Sequence, residues 1–378
     1  MSLLTDAATE MAVPLLPVFI TGVLGAGALT LGWIEGAADA AASILKLVSG
    51  RVADRSGKNR PLVIAGYSVS SFIRPFLGAA TAAWHVLAIR LVDRVGKGLR
   101  TSPRDALIAA SVSPNQRGAA YGLHRAMDHV GAVIGPLVAV AILTLWTDDL
   151  RIVFWLTVVP GILAVLVLIF GVREARPAER EDPEVEPPSS VPSPPSRALA
   201  RFLFPLGIFT LGNASDTFLL LKAGALQAPL ATLPLLWTGL HVVKALTSLF
   251  GGHLADRWGR RRTIALGWSI HIIVYIGFAL AESRTAIWSL FLVYGAHHGL
   301  SEGAEKALIA EIVPKRRRGT GFGWYHLTTG LLTLLASVIF GALWELFSSG
   351  AAFLTSAGLA VVALASLAAL SPRGGGRF

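Results

Sequence analysis

The sequence predicts an all-α membrane protein of twelve transmembrane helices, built as two parallel six-helix repeats. Three observations carry that prediction. Apolar stretches of about 20 residues, each long enough to cross a bilayer as a helix, recur along the whole chain. Basic residues crowd into alternate loops between them, and short motifs of the first half return in the second at a near-constant offset. Composition agrees: of 378 residues 53% are hydrophobic and 15% charged, and mean hydropathy is +0.62. A soluble domain carries about a quarter charged residues, so a large soluble protein with a greasy core is a poor fit.

Apolar runs between charged or turn-rich breaks place the spans at 3–25, 27–49, 60–80, 83–108, 117–144 and 151–172, then 200–224, 231–254, 262–282, 285–311, 319–346 and 350–371. No strand is predicted. The start, Met1-Ser2-Leu3-Leu4-Thr5-Asp6, has no basic region ahead of its apolar run and reads as the beginning of the first span, not a cleaved leader. The loops after the second and fourth spans hold Arg51, Arg55, Lys58, Arg60, Arg104 and Arg117. Their counterparts in the second half hold Arg257, Arg260, Arg261, Arg262 and the run Lys315-Arg316-Arg317-Arg318. Opposite loops are short, with Asp148, Asp149, Glu282 and one Arg284. Basic loops stay in the cytoplasm, so the prediction is a multi-pass protein of the cell (inner) membrane with both termini cytoplasmic. The net charge of +10 is spent on these loops, which argues against nucleic acid as a partner.

Residues 173–199 hold Glu-Asp-Pro-Glu-Val-Glu-Pro-Pro and Pro-Ser-Pro-Pro, a composition that cannot build a core and reads as a cytoplasmic linker. It separates a bundle over 1–172 from one over 200–378. The halves repeat each other. Gly50-Arg51-Val52-Ala53-Asp54-Arg55-Ser56-Gly57 returns as Gly252-His253-Leu254-Ala255-Asp256-Arg257-Trp258-Gly259. Asp105-Ala106-Leu107-Ile108-Ala109 returns as Lys306-Ala307-Leu308-Ile309-Ala310, and Arg117-Gly118 with Tyr121-Gly122 as Arg318-Gly319 with Phe322-Gly323. Parallel six-helix repeats are an architecture of secondary transporters, whose substrate site lies between the halves.

The pattern Gly-x-x-x-Asp-Arg-x-Gly-Lys/Arg after the second helix of each half resembles the signature loop of the major facilitator superfamily. Gly50, Asp54, Arg55, Gly57 and Lys58 match it in the first half, and Gly252, Asp256, Arg257, Gly259 and Arg260 in the second. Asn59 interrupts the basic ending of the first copy. The resemblance spans essentially the whole chain and implies secondary transport by alternating access. Glycine permits a tight turn and close helix approach. An Asp at a helix end accepts backbone N–H bonds or pairs with Arg. Such contacts suit a gate that latches in one conformation and releases in another. In the fifth span Gly131, Gly135 and Pro136 resemble the Gly-Pro element of superfamily antiporters, without its following glycine pair. The same residues also fit plain helix packing and a kink.

Ionisable groups inside spans are costly and point to function by default. The fourth span carries Arg90, Asp93, Arg94, Lys97 and Arg100, with Arg90, Arg94, Lys97 and Thr101 on one helical stripe and Asp93 within reach of Arg90 or Lys97. Arg94 with Lys97-Gly98 resembles the family's fourth-helix Arg followed by Gln-Gly, with Lys97 in place of the glutamine. The tenth span carries His297, His298, Glu302, Glu305 and Lys306, and His298 with Glu302 at i, i+4 suits a proton relay near neutral pH. The seventh span places Asn213 and Asp216 near mid-depth. Asp6 with Glu10, and Arg125 with Asp128, are expected to be structural pairs; Glu35, Asp39, Lys46 and Arg74 carry no assigned role.

The expectation is therefore a proton-coupled secondary transporter of a small polar or anionic organic solute, working as an exporter and as a monomer. Arg94, Lys97, Asp93, Asn213 and His297 are the candidate substrate contacts, Asp216, Glu302 and His298 the proton carriers, and Gly50, Asp54, Arg55, Gly57, Gly252, Asp256, Arg257 and Gly259 the gate. A drug/proton antiporter and a lipid or lysolipid transporter remain as alternatives. No cofactor or resident metal is expected. The chain has no cysteine, and it lacks a Gly-x-Ser-x-Gly elbow, a Gly-x4-Gly-Lys-Ser/Thr loop and a His-Glu-x-x-His motif, so an enzyme is not expected.

Overall fold

The structure is a computed structural model that describes residues 1–25, 28–171, 194–224 and 232–370. The proline-rich stretch read as a linker falls largely outside the described residues. Among the described residues there is no strand, and every predicted span is helical. The spans run Ala28–Ser56, Asn59–Ile73, Ala83–Ser111 and Arg117–Leu145 for the second to fifth, and Thr232–Trp258, Arg260–Leu280, Arg284–Ile312, Arg318–Leu346 and Ser349–Ala369 for the eighth to twelfth.

Three spans are interrupted. The first begins as Ser2–Ala12 and continues through a short 3-10 turn and a π turn to Val23. The sixth divides into Leu150–Leu156 and Val158–Gly171, and the seventh into Arg197–Leu211 and Thr217–Gly224. In the third, Pro75 enters a 3-10 turn, Arg74–Ala79, because proline cannot donate to the helical ladder. Side-chain oxygens of Asp149, Ser196, Ser283 and Ser348 accept from the first turns of the helices that follow them, satisfying otherwise orphaned N–H groups.

Among the described residues six segments are long and apolar enough to cross a membrane by length and composition. They are the third, fifth, sixth, ninth, eleventh and twelfth spans. The remaining spans carry the charges or helix breaks singled out above. Large apolar side chains stand on the surface, with Phe72, Leu145, Phe170 and Leu280 each more than two-thirds exposed. Facing a bilayer, that surface needs no further cover.

The helices gather into two compact units. The first comprises Met1–Ser111, Met127–Pro194 and Lys315–Leu327. A small apolar cluster of Leu16, Phe19, Leu77 and Phe154 anchors its first, third and sixth spans. The second comprises Val112–Ala126, Pro195–Pro314 and Thr328–Phe378. Its core is aromatic, with Tyr275, Phe278, Phe291, Tyr294, Phe340 and Phe353 all buried. Each unit thus takes in the opening of one span from the other half of the sequence.

Candidate functional site

In the first unit the fourth-span charges divide into two groups. Asp93 accepts from Arg74 at 2.9 Å and lies 3.6 Å from Arg90, all three buried. Arg100 donates to Ser70 Oγ at 2.6 Å and lies over the Tyr67 ring at 4.4 Å. These contacts bind the third span to the fourth. They form where Gly66 and Gly96 let the backbones meet: a Cβ on Gly66 would stand 2.5 Å from the Gly96 carbonyl oxygen. Asp93, a predicted substrate contact, is therefore engaged in a buried ion pair with a residue that had no assigned role.

Arg94 and Lys97 make up the second group. Arg94 Nε lies 3.0 Å from Asp39, whose side chain is mostly exposed. Lys97 faces Asp39 and Asp6 at longer range, and among the described residues it enters no ion pair within 4 Å. Gly131 and Gly135 are a packing seam: Cβ atoms there would stand 2.4 Å and 2.5 Å from the carbonyl oxygens of Leu3 and Ala7. The seam brings Asp6 against the fifth span, where a Cβ on Gly131 would stand 3.1 Å from Asp6 Cβ. Arg125, expected to pair with Asp128, also meets a carboxylate on another helix, Glu302 of the tenth span.

In the second unit the predicted proton carriers converge. The seventh span breaks after Leu211, where Gly212 packs so closely on the twelfth span that a Cβ would stand 2.7 Å from the Ser356 carbonyl oxygen. The break presents Asn213 and Asp216 to the tenth span. Tyr294, His298 and Glu302 recur there every four residues, which puts them on one face. Tyr294 Oη lies 2.9 Å from Asp216 Oδ1 and 3.0 Å from Asn213 Oδ1. A hydroxyl has one hydrogen, so it serves one acceptor at a time. Asp216 Oδ2 accepts from Lys244 at 2.8 Å. His298 sits between the two carboxylates, Nδ1 at 3.1 Å from Glu302 and Nε2 at 3.7 Å from Asp216. Arg125 Nε closes the series 2.7 Å from Glu302. The result is a row, Lys244–Asp216–His298–Glu302–Arg125, in which His298 hydrogen-bonds Glu302 through Nδ1 and turns Nε2 toward Asp216.

Two of these groups escaped the sequence reading. Lys244 is the one Lys, Arg, Asp or Glu between Thr232 and Gly252, and an isolated intramembrane lysine was itself the available signal. Tyr294 gave no signal among the other aromatic residues. His297, read as a substrate contact, is corrected: its Nδ1 lies 3.1 Å from the Gly267 carbonyl, it is buried, and its ring packs beside Phe209 and His271. It joins the ninth and tenth spans, and its ring packs against His298 and Tyr294 without entering an ion pair among the described residues.

The two signature loops form the same contact, one in each unit. Asp54 accepts from the backbone N–H groups of Gly319 at 2.8 Å and Thr320 at 2.6 Å. Asp256 accepts from those of Gly118 and Ala119, both at 2.8 Å. Each carboxylate thus caps the first turn of a helix, where the macrodipole favours negative charge. Gly50 and Gly252 let the helices touch: Cβ atoms there would stand 2.0 Å from Gly319 O and 2.5 Å from Gly118 O. Gly57 and Gly259 have φ of 64° and 107°, a region side chains resist, and turn the chain into the next span. Arg55 and Arg257 are exposed. Arg117 adds a bond to the Ala310 carbonyl at 2.9 Å, and Arg260 bonds to Glu311 and the Pro114 carbonyl. Burial pushes the Asp54 carboxyl up from 3.8 to about 6, outweighing the pull of the Thr320 and Gly319 bonds and of Arg317.

Comparison with known proteins decides the family. The family model described as Major Facilitator Superfamily matches residues 1–235 and 197–376. The chain belongs to the major facilitator superfamily. An uncharacterised MFS-type transporter of Methanocaldococcus jannaschii is 30% identical over 371 residues, covering 96% of this chain and 90% of the relative. A multidrug resistance protein MdtH of Salmonella arizonae is 24% identical over 327 residues, 83% of this chain and 77% of that one. The human organic anion transporter MFSD10 shares the fold, with a TM-score of 0.74 at 16% identity over 97% of this chain and 96% of the other. The superfamily chain described above is thus an all-α protein of the MFS fold with several membrane-crossing helices.

Proposed function

We propose that this protein is a proton-coupled secondary transporter that exports a small polar or anionic organic solute by alternating access. The observation that carries the reading is the row Lys244–Asp216–His298–Glu302–Arg125, in which His298, a group that exchanges protons near neutral pH, stands between two carboxylates whose outer sides are held by the fixed cations Lys244 and Arg125. A titratable row on membrane helices is an expensive arrangement without a task. Arg94 and Lys97 supply positive charge for an anionic group: Lys97 has no ion-pair partner among the described residues, and the Asp39 partner of Arg94 is exposed and replaceable. Asp93 and His297 are left with positioning roles. The Asp54 and Asp256 contacts act as latches that form in one state and release in the other.

A second reading, a drug/proton antiporter, is favoured by the likeness to MdtH and by the aromatic core of the second unit. The discriminating experiment follows proton release from detergent-purified protein on adding monocarboxylates, phosphorylated metabolites, zwitterions or cationic drugs. Release on an anionic or zwitterionic solute, abolished by Glu302→Gln, supports the proposal. Release on cationic drugs alone would select the second reading. Binding without release at any pH between about 5 and 8, the range of histidine titration, would sink proton coupling.

A further inference from the structure

The first unit has a cavity of about 470 Å³ that the charged row does not use and that borders the Asp54 latch. It lies on the second span, where Ile44, Val48 and Val52 recur every four residues, each about half exposed. Leu327 of the eleventh span forms the opposite wall. Its floor is the close approach of the two spans, with Gly50 against Gly319 and Leu47 against Gly323. Small residues draw the helices together at that line, and the side chains splay above it to leave an apolar trough on the outer face. At one end stand Arg51 and Arg55, one turn apart and on the basic-loop side of the span.

The internal repeat supplies a control within the same molecule. At the offset of the signature loops, Ile44, Val48 and Val52 correspond to Leu246, Phe250 and Leu254, while Arg51 corresponds to His253. The second copy thus puts a bulky ring at the position of Val48, in the middle of the apolar wall. It also replaces one guanidinium by an imidazole whose Nδ1 lies 2.9 Å from the Leu249 carbonyl of its own helix. Only Arg55 keeps its counterpart, Arg257. The two copies share the latch geometry and differ at this trough, at Val48 and at Arg51, whose stem is largely buried beside the exposed Arg55.

We infer that the trough holds one acyl chain of an anionic phospholipid from the leaflet on the basic-loop side, with its phosphate between Arg51 and Arg55. The apolar wall from Ile44 to Val52 runs about 12 Å along the helix, enough for the upper part of one acyl chain; its exposed side chains give access from the bilayer, and guanidinium groups are suited to phosphate oxygens. Anionic lipids are attracted to such basic positions at the membrane surface. A lipid seated there lies against the helices that carry Asp54 and Gly319 and braces that latch from outside. This site is separate from the solute and proton groups, so its test stands independently of the proposed transport.

The test is lipid retention by the purified full-length chain, read by native mass spectrometry with phosphatidylglycerol and phosphatidylcholine offered in turn. Phosphatidylglycerol is retained in preference. Arg51→Gln and Arg55→Gln each lower its apparent affinity about fivefold, the equivalent of about 1 kcal/mol per basic residue at a membrane surface. Arg55→Lys recovers most of the loss, and Arg257→Gln changes nothing. Val48→Phe, which copies the second repeat without altering charge and lies on the exposed face, removes the retained lipid. Equal retention of both lipids overturns the inference. So does full phosphatidylglycerol retention by Val48→Phe, or displacement of the lipid by millimolar inorganic phosphate, which would mark a site for a free anion.

Discussion

Gly319→Ala is the sharpest single perturbation of the Asp54 latch. A Cβ at this position would stand 2.3 Å from the Gly50 carbonyl oxygen and 2.8 Å from Asp54 Oδ1, where ordinary contact begins at 3.4 Å. The nearer obstacle is backbone, so it cannot swing aside; the second and eleventh spans must part by about an ångström, and the capping bonds lengthen with them. Overpacking of this kind costs about 1–3 kcal/mol, and here it falls on the latched state alone. The ratio of latched to released protein should fall by about 5- to 150-fold. The chain has no cysteine, so Ser102→Cys provides a unique thiol. Ser102 is fully buried beside Gly50, its Cβ 3.1 Å from where a Gly50 Cβ would sit. Reaction with a membrane-impermeant maleimide therefore reports the released fraction. Gly319→Ala should accelerate labelling by a factor within that range, while thermal melting shows the protein still folded. Labelling within about twofold of the parent rate would show that these contacts do not hold the released and latched states apart, and the gate assignment would fall with them.

The raised Asp54 group gives the latch a pH dependence of defined sign. Its latched value is about 6 and its free value 3.8, so the latch is fully supported below about 3.8 and loses support as pH rises through about 6. Labelling of Ser102→Cys, normalised to a free thiol, should rise across that window, and Asp54→Asn should flatten the profile; a rise unaffected by Asp54→Asn would refute the linkage. Lys244→Met leaves Asp216 without its 2.8 Å partner and should cost about 3 kcal/mol of stability in a denaturant melt, mostly restored by adding Asp216→Asn. Additive losses in that double variant would show the two groups act separately. Gly212→Ala, whose Cβ would meet the Ser356 backbone at 2.7 Å, should lower melting stability by about 1–3 kcal/mol and move Asp216 away from Tyr294, read as lost proton release; a variant equal to the parent in both would remove the helix break from the mechanism.

The helical class, the span positions and the repeat were legible because they depend on local chain properties. A bilayer demands about 20 apolar residues per crossing, and a motif in register at Asp54 and Asp256 is visible wherever it lies in the chain. His298 and Glu302 were legible for the same reason, being one turn apart on one helix. The partners were not. Sequence spacing set Arg125 beside Asp128, and gave no hint that the structure brings Arg125 to Glu302 on another helix. It made Arg90, Arg94 and Lys97 one stripe, which packing against the third span divides by turning Arg90 toward Asp93, the partner of Arg74. Spacing along a helix fixes which face a side chain occupies, but a charge of one to two helical turns' reach chooses among all the helices that face it. In a low-dielectric interior that choice follows desolvation and hydrogen-bond geometry, which exist only once the helices are packed. So the sequence by itself determined the number, order and likeness of the spans and the chemistry each carries. The tertiary structure decided which charges meet, because pairing across helices depends on packing that no spacing along one helix specifies.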